Sequence, residues 1–174
     1  MAGRGHSPKM LEARLLYPSA VTADVSRRLL GWLLEHGADE LTVTVMALAG
    51  ESALVADGFE DALAPFALPI ARRRVPGAHP SAELTREVRL WAFTAESLSA
   101  LDGFLPGGIF EHETGPEGWL EDFTLYRAGE LLLGVITHER EGVLRLTAAE
   151  HDELEAMGIR ASAEGRWVDD QWME

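Results

Sequence analysis

The 174-residue chain has no cysteine, which excludes disulfide bonds and any site built on a thiolate. Lysine is also scarce: of the 15 basic residues only Lys9, in a polar N-terminal leader, is a lysine. Without a lysine in the folded body, the chain can neither form a Schiff base there nor hold a nucleotide phosphate from a P-loop. Neither glycine-rich nucleotide-binding loop occurs in the sequence, and we predict no cofactor.

Long apolar runs are also missing. The longest strongly apolar run, residues 131–136, is far too short to span a bilayer. Residues 62–71 are apolar for longer, but Pro65 and Pro69 interrupt them. The first fifteen residues carry no apolar segment of the kind found in signal peptides. We therefore expect a cytoplasmic protein that does not bind membranes.

The negative charge of the chain is unevenly distributed. The net charge is −14, and from Glu111 onward 16 acidic residues stand against 5 basic ones. Nucleic-acid phosphates would be repelled by this half, which disfavours nucleic-acid binding. A basic protein would be attracted and its approach steered. The alternative explanation is that the charge serves solubility alone.

The first two thirds of the chain contain two strand-helix-strand patterns. The first has strands at residues 11–17 and 41–48, around a helix that begins after Thr22 and ends at Gly37. A weak helix at residues 59–67 and a proline-rich, irregular connection follow. The second pattern has strands at residues 86–93 and 109–113, around a short helix that follows Thr94.

The last third predicts a β-meander with strands at residues 120–127, 130–138 and 143–147, followed by a helix. Thr147 and Glu150 form a T-x-x-E capping box at the start of that helix. The predicted fold is α+β with two layers, a largely antiparallel sheet with helices on one face. Ferredoxin-like βαβ units precede the C-terminal β-meander and capped helix.

The predicted domain organisation is a disordered leader at 1–9, one α+β domain at 10–160 and an acidic, tryptophan-containing tail at 161–174. Helical and two-residue periods predict one shared core, with an apolar run adding the last member. Its predicted members are Leu29, Trp32, Leu33, Val43, Val45, Leu90 and Leu133.

Histidines and glutamates of the second half are candidate metal ligands. His151 and Glu155 share a helical face, and His138 and Glu139 lie where a strand enters a turn. The strand period places His112 on the face opposite its neighbouring glutamates, so those three side chains converge only if the strand breaks. The candidate ligands are His112, His138, Glu139, His151 and Glu155, and Glu121 is a further acid/base candidate. Ordinary surface histidines are the alternative explanation.

Two other motifs are only weak indications of a functional site. Ser52 follows Gly50 as in a nucleophile elbow, but the second glycine that the strained turn requires is missing. The run from Arg72 to Arg74 has the forked donors that grip phosphate or carboxylate. Such a run more commonly lies solvated or pairs with acids of the same chain.

The leading hypothesis is a non-catalytic protein-binding module for a basic partner, similar in role to an immunity protein or antitoxin. Trp91 alternates with charged residues, so it is predicted to lie on a wet or partner-covered face. The alternative for Trp91 is a tryptophan that helps to close a local core. The predicted contact residues are Glu111, Glu113, Glu121, Asp122, Glu139, Glu141 and Trp91. The alternatives are a small metal-binding protein or enzyme using the His and Glu positions, and a structural homo-oligomer that buries the Trp91 face.

Overall fold

The computed structural model of the protein describes residues 11–47, 54–76, 83–110, 114–115, 118–163, 166–168 and 171–173. Within them lie the helices α1 (Ala23–Glu35), α2 (Leu54–Leu63), α3 (Ala95–Leu101) and α4 (Ala148–Ala156), with 3-10 turns at Pro18–Ala20 and Ala64–Phe66. The strands are β1 (Glu12–Leu16), β2 (Glu40–Ala47), β3 (Ala67–Pro76), β4 (Glu83–Ala92), β5 (Thr114–Gly115), β6 (Gly118–Arg127), β7 (Glu130–Ile136), β8 (Glu141–Leu146), β9 (Ser162–Ala163), β10 (Arg166–Val168) and β11 (Gln171–Met173).

Nine of these strands form one antiparallel sheet in the order β3-β4-β2-β6-β7-β8-β1-β9, and β5 pairs with β6. Strands β10 and β11 form a separate hairpin. This arrangement confirms the predicted α+β fold and its antiparallel sheet. The ferredoxin-like detail is not confirmed, since three strands of the meander lie between β1 and β2 in the sheet order.

Local signals located most elements correctly. Thr22 caps α1 by accepting a hydrogen bond from the Val25 N–H, and Gly37 follows the helix with a φ of +88°. The meander strands match β6, β7 and β8. The capping box at the start of α4 is present in both directions, between the Thr147 side chain and the Glu150 N–H and between the Glu150 side chain and the Thr147 N–H.

Two segments differ from the prediction. Residues 69–76, expected to be irregular, belong to β3, which begins at Ala67 and lies at the edge of the sheet. An edge strand tolerates Pro69 and Pro76, which lack a backbone N–H. One side of such a strand has no neighbouring strand and therefore needs no N–H donors. Residues 109 and 110, expected to begin a strand, form a turn, and residues 111–113 lie outside the described part of the chain.

The main core lies between the helices and one face of the sheet. Of its predicted members, Leu29, Trp32, Leu33, Val43 and Leu133 are buried there together. The Val45 side chain lies outside the described residues. The prediction was wrong for Leu90, which belongs to a second buried cluster on the opposite face of the sheet.

The second core consists of Val75, Val88, Leu90, Tyr126, Leu131 and Val143. It is closed by the β3–β4 hairpin, whose β3 strand approaches β7 closely. A Cβ atom added at Gly134 on β7 would lie 2.3 Å from the Cγ atom of Pro76 on β3. The glycine is therefore required by the close approach of the two strands.

Trp91 lies inside the molecule, which corrects its prediction as a contact residue. The side chain is 2% exposed, belongs to the main core and meets the Phe59 ring of α2 edge-on, with centroids 5.5 Å apart. Strand β4 is buried on both faces here, so Leu90 and Trp91 are both internal despite alternating. Trp91 is therefore not accessible for the homo-oligomer contact that was proposed as an alternative.

Candidate functional site

Acidic residues collect at the end of the sheet where β7 turns into β8. Glu121 and Asp122 lie on β6, and His138 and Glu139 lie in the turn after β7. One ligand atom from each of Glu121, Asp122 and His138 lies within 4.8 Å of the other two. Glu121 and Asp122, which were predicted to contact a partner, therefore lie beside His138, which was predicted to be a metal ligand.

An irregularity in β6 brings these side chains together. Between Thr42 and Thr44 the pairing register with β2 shifts, because β6 contains one extra residue there. Asp122 lies in this bulge with a φ of +53°, a left-handed conformation that aspartate adopts more readily than most residues. Its N–H donates to Thr137 Oγ1 at 2.9 Å, and the Thr137 N–H donates to Asp122 Oδ1 at 3.2 Å.

The turn adds two further carboxylates. Glu139 Oε1 lies 3.5 Å from His138 Nε2, and both side chains are more than half exposed. Glu141 opens β8 opposite Ile136, the last residue of β7. We call Glu121, Asp122, Glu139 and Glu141, together with His138, the acidic end.

Arg140 stands in the same turn but lines a separate cavity of about 460 Å³. That cavity is formed with Phe110 and with residues at the start of α1. Arg140 therefore also borders a region distinct from the acidic end.

Other predicted site residues lie elsewhere. Glu111, His112 and Glu113 fall outside the described residues. His151 is 2% exposed on α4, and its Nε2 atom bonds the carbonyl oxygen of Glu12 at 3.1 Å. Burial lowers the pKa of His151, and the neighbouring Arg14 charge lowers it further. Glu155 is exposed, and the two do not belong to the metal-ligand group found among the described residues.

The arginine run on β3 is partly structural. Arg73 grips the Glu40 carboxylate of β2 with two hydrogen bonds of 2.8 Å, from Nε and from Nη2. The middle arginine of the run therefore pairs with an acidic residue of the same chain. This was the alternative interpretation of the run. Ser52 lies outside the described residues.

Sequence reasoning missed a polar cavity that contains Arg14, Arg160 and Ser162 beside His151 and Glu155. Arg14 and Ser162 are far apart in the chain and meet only because β9 pairs with β1. No spacing in the sequence signals that pairing, because β9 is two residues long and has no periodicity.

Comparison of the chain with protein-family models, with curated proteins and with solved structures finds no match in any of the three. Within the described part of the chain, no helix combines the length and apolar character needed to cross a lipid bilayer.

Proposed function

We propose that the protein is a cytoplasmic, non-catalytic binding module whose acidic end docks a basic protein, in the manner of an immunity protein or antitoxin. The observation that carries the proposal is the gathering of Glu121, Asp122, Glu139 and Glu141 at one end of the meander. These four are the described members of the acid set expected from the sequence to form a contact surface.

Electrostatics favours a partner of opposite charge at this end. Charges at a protein surface act over about 8 Å at physiological ionic strength, so the carboxylates gathered at the acidic end act together on an approaching partner. A net charge of −14 adds a long-range attraction for a basic protein. Such steering raises the association rate constant more than it slows dissociation, and salt weakens it.

The test begins with pull-down from the native lysate at low and at high salt, with mass spectrometry to identify a basic protein retained only at low salt. The association rate constant of that purified protein is then measured against wild type and the Glu139→Lys/Glu141→Lys variant. We expect charge reversal to lower the rate constant by about tenfold or more, because two attractive charges become repulsive.

A matched control carries the same change in charge elsewhere. Glu130 begins β7 at the opposite end of that strand, and Asp152 is an exposed residue of α4. The Glu130→Lys/Asp152→Lys variant should associate at nearly the wild-type rate. Equal slowing by both variants, or recovery of no basic protein, would contradict a dedicated acidic surface.

A second candidate function is divalent cation binding at Glu121, Asp122 and His138. Two carboxylates and an imidazole are suitable ligands for Zn²⁺ or Mn²⁺, and their ligand atoms already lie within 4.8 Å of one another. Such a site would leave further coordination positions for water or substrate.

Calorimetric titration with Zn²⁺ tests this candidate. His138→Ala should weaken the strongest binding event by about tenfold or more, since it removes one of three protein ligands. His36→Gln is the control, because His36 contacts Trp32 and Glu153 at the α1–α4 contact. Unchanged affinity in the His138 variant would place any bound metal elsewhere and exclude this candidate.

A further inference from the structure

The polar cavity that sequence reasoning missed lies between α4, β1 and β9, at the edge of the sheet opposite the β3–β4 hairpin. Its volume is about 170 Å³. The buried side chains of Leu154 and Ile159 form its apolar wall. The remaining wall is rich in hydrogen-bonding groups from Arg14, His151, Glu155, Arg160 and Ser162.

The two arginines have donors to spare. Arg14 uses Nη2 to bond Glu12 Oε2 at 3.1 Å, which leaves its Nε and Nη1 donors without a described partner. Arg160 makes no hydrogen bond or ion pair with another residue in the described part of the chain. A guanidinium group offers five N–H donors in a planar fork, so most donors of Arg14 and Arg160 have no partner among the described residues.

His151 adds no positive charge to the cavity. A carbonyl oxygen only accepts, so the contact with Glu12 requires the proton on Nε2. Because burial lowers the pKa of His151, the ring is neutral at pH 7. Arg14 and Arg160 are therefore the positive groups of the wall, and Glu155 is its exposed negative group.

We propose that this cavity binds a small oxyanion of the phosphate type between Arg14 and Arg160, with the Ser162 hydroxyl as a third donor. The remaining donors of the two guanidinium groups match the oxygens of such an anion in geometry, and Glu12 balances part of the Arg14 charge. The cavity is smaller than the roughly 300–1,000 Å³ that drug-sized ligands occupy, which favours a free ion. This site shares no residue with the acidic end and stands independently of its function.

Calorimetry and phosphorus-31 NMR with inorganic phosphate test the proposal at pH 7. We expect one saturable site, weakened about tenfold or more by Arg160→Gln, since a charge-assisted donor pair is lost. Arg160 has no described partner, so this substitution should leave the fold intact. Glu155→Gln should strengthen binding several-fold, because it removes the negative charge beside the anion.

Arg72→Gln provides a matched loss of one positive charge on β3, at the far edge of the sheet. It should leave phosphate affinity unchanged. The proposal is overturned by no saturation at about 10 mM phosphate, or by equal weakening in the Arg72 and Arg160 variants.

Discussion

Glu150 is a single side chain that holds three segments together. Its Oε1 atom accepts a hydrogen bond of 2.7 Å from Arg127 Nη1, and its Oε2 atom accepts one of 2.8 Å from the Thr147 N–H. Arg127 Nη1 also donates to the His36 carbonyl oxygen, at the end of α1, at 3.2 Å. Glu150 therefore links the start of α4 to the end of β6 and, through Arg127, to the end of α1.

Because of this environment, the stability of the folded protein is expected to vary with pH in the acid range. Burial alone would raise the pKa of Glu150, but hydrogen bonds from Arg127 and Thr147 outweigh it and lower the pKa to about 2. A carboxyl group whose folded pKa is lowered contributes stability above its ordinary value of 4.5 and loses it as the pH falls through about 2.

We expect Glu150→Gln to lower the free energy of unfolding at neutral pH and to differ less from wild type as the pH falls from 4.5 to about 2. Urea unfolding of both proteins across that range measures the difference. Asp152→Asn, an exposed position on the same helix without a described hydrogen bond, should follow the wild-type pH profile. A Glu150→Gln difference that is constant with pH would show that Glu150 does not titrate as described.

Tyr126 presents the opposite situation, a buried polar atom without a partner. The residue is 0% exposed in the second core, and its hydroxyl has no hydrogen-bond partner among the residues that the structure describes. Burial raises the pKa of Tyr126, so the hydroxyl stays protonated.

Tyr126→Phe should increase the free energy of unfolding by about 1 kcal/mol, since it removes an unsatisfied buried group and keeps the ring. Chemical denaturation measures the change. Tyr126→Leu, which also removes the hydroxyl but leaves a gap, should destabilise instead. Destabilisation by phenylalanine would show that the hydroxyl has a partner such as buried water.

At the scale of elements, the β3–β4 hairpin is the part that closes the second core. Its approach to β7 depends on Gly134, where a Cβ atom would overlap Pro76. Gly134 and Pro76 are 58 positions apart in the chain. Glycine has a low propensity for strands, so its presence in β7 is explained by this tertiary contact and not by local preference.

Gly134→Ala should lower the free energy of unfolding by about 1–3 kcal/mol, because β3 or β7 must move to admit the methyl group. Gly31→Ala is the control, since Gly31 lies within α1 and an added Cβ meets nothing within 4 Å. Alanine there should stabilise the protein by about 0.4–1 kcal/mol. Thermal or urea unfolding compares the two, and a neutral Gly134 variant would mean that the hairpin does not close tightly.

At the scale of the whole molecule, the sheet separates two cores that share strands β4, β6, β7 and β8. Strand β4 supplies Trp91 to one core and Leu90 to the other. Loss of packing on one face should therefore weaken the other face.

Leu33→Ala, at a fully buried position of the main core, should lower the free energy of unfolding by about 2–5 kcal/mol. Leu11→Ala, at an exposed leucine, should change it by less than about 0.5 kcal/mol. Tryptophan fluorescence and far-ultraviolet circular dichroism should report one coincident transition. Two separated transitions would contradict a single α+β domain over residues 10–160.

The sequence by itself determined the features that depend on neighbours a few residues apart. Helix α1, strand β2, the meander and the capping box at Thr147 follow from periods and caps that act within one or two turns or one strand. The abundance of acid after Glu111 was equally visible, although composition does not say which carboxylates meet.

Only the tertiary structure decided features that depend on distant partners. Strand β3 forms because β4 pairs with it, and Trp91 is internal because α2 covers its face. His138 meets Glu121 and Asp122 through the bulge in β6, and Arg14 meets Ser162 through the pairing of β1 with β9. Such pairings depend on how the whole chain closes, which no local pattern of polar and apolar residues encodes.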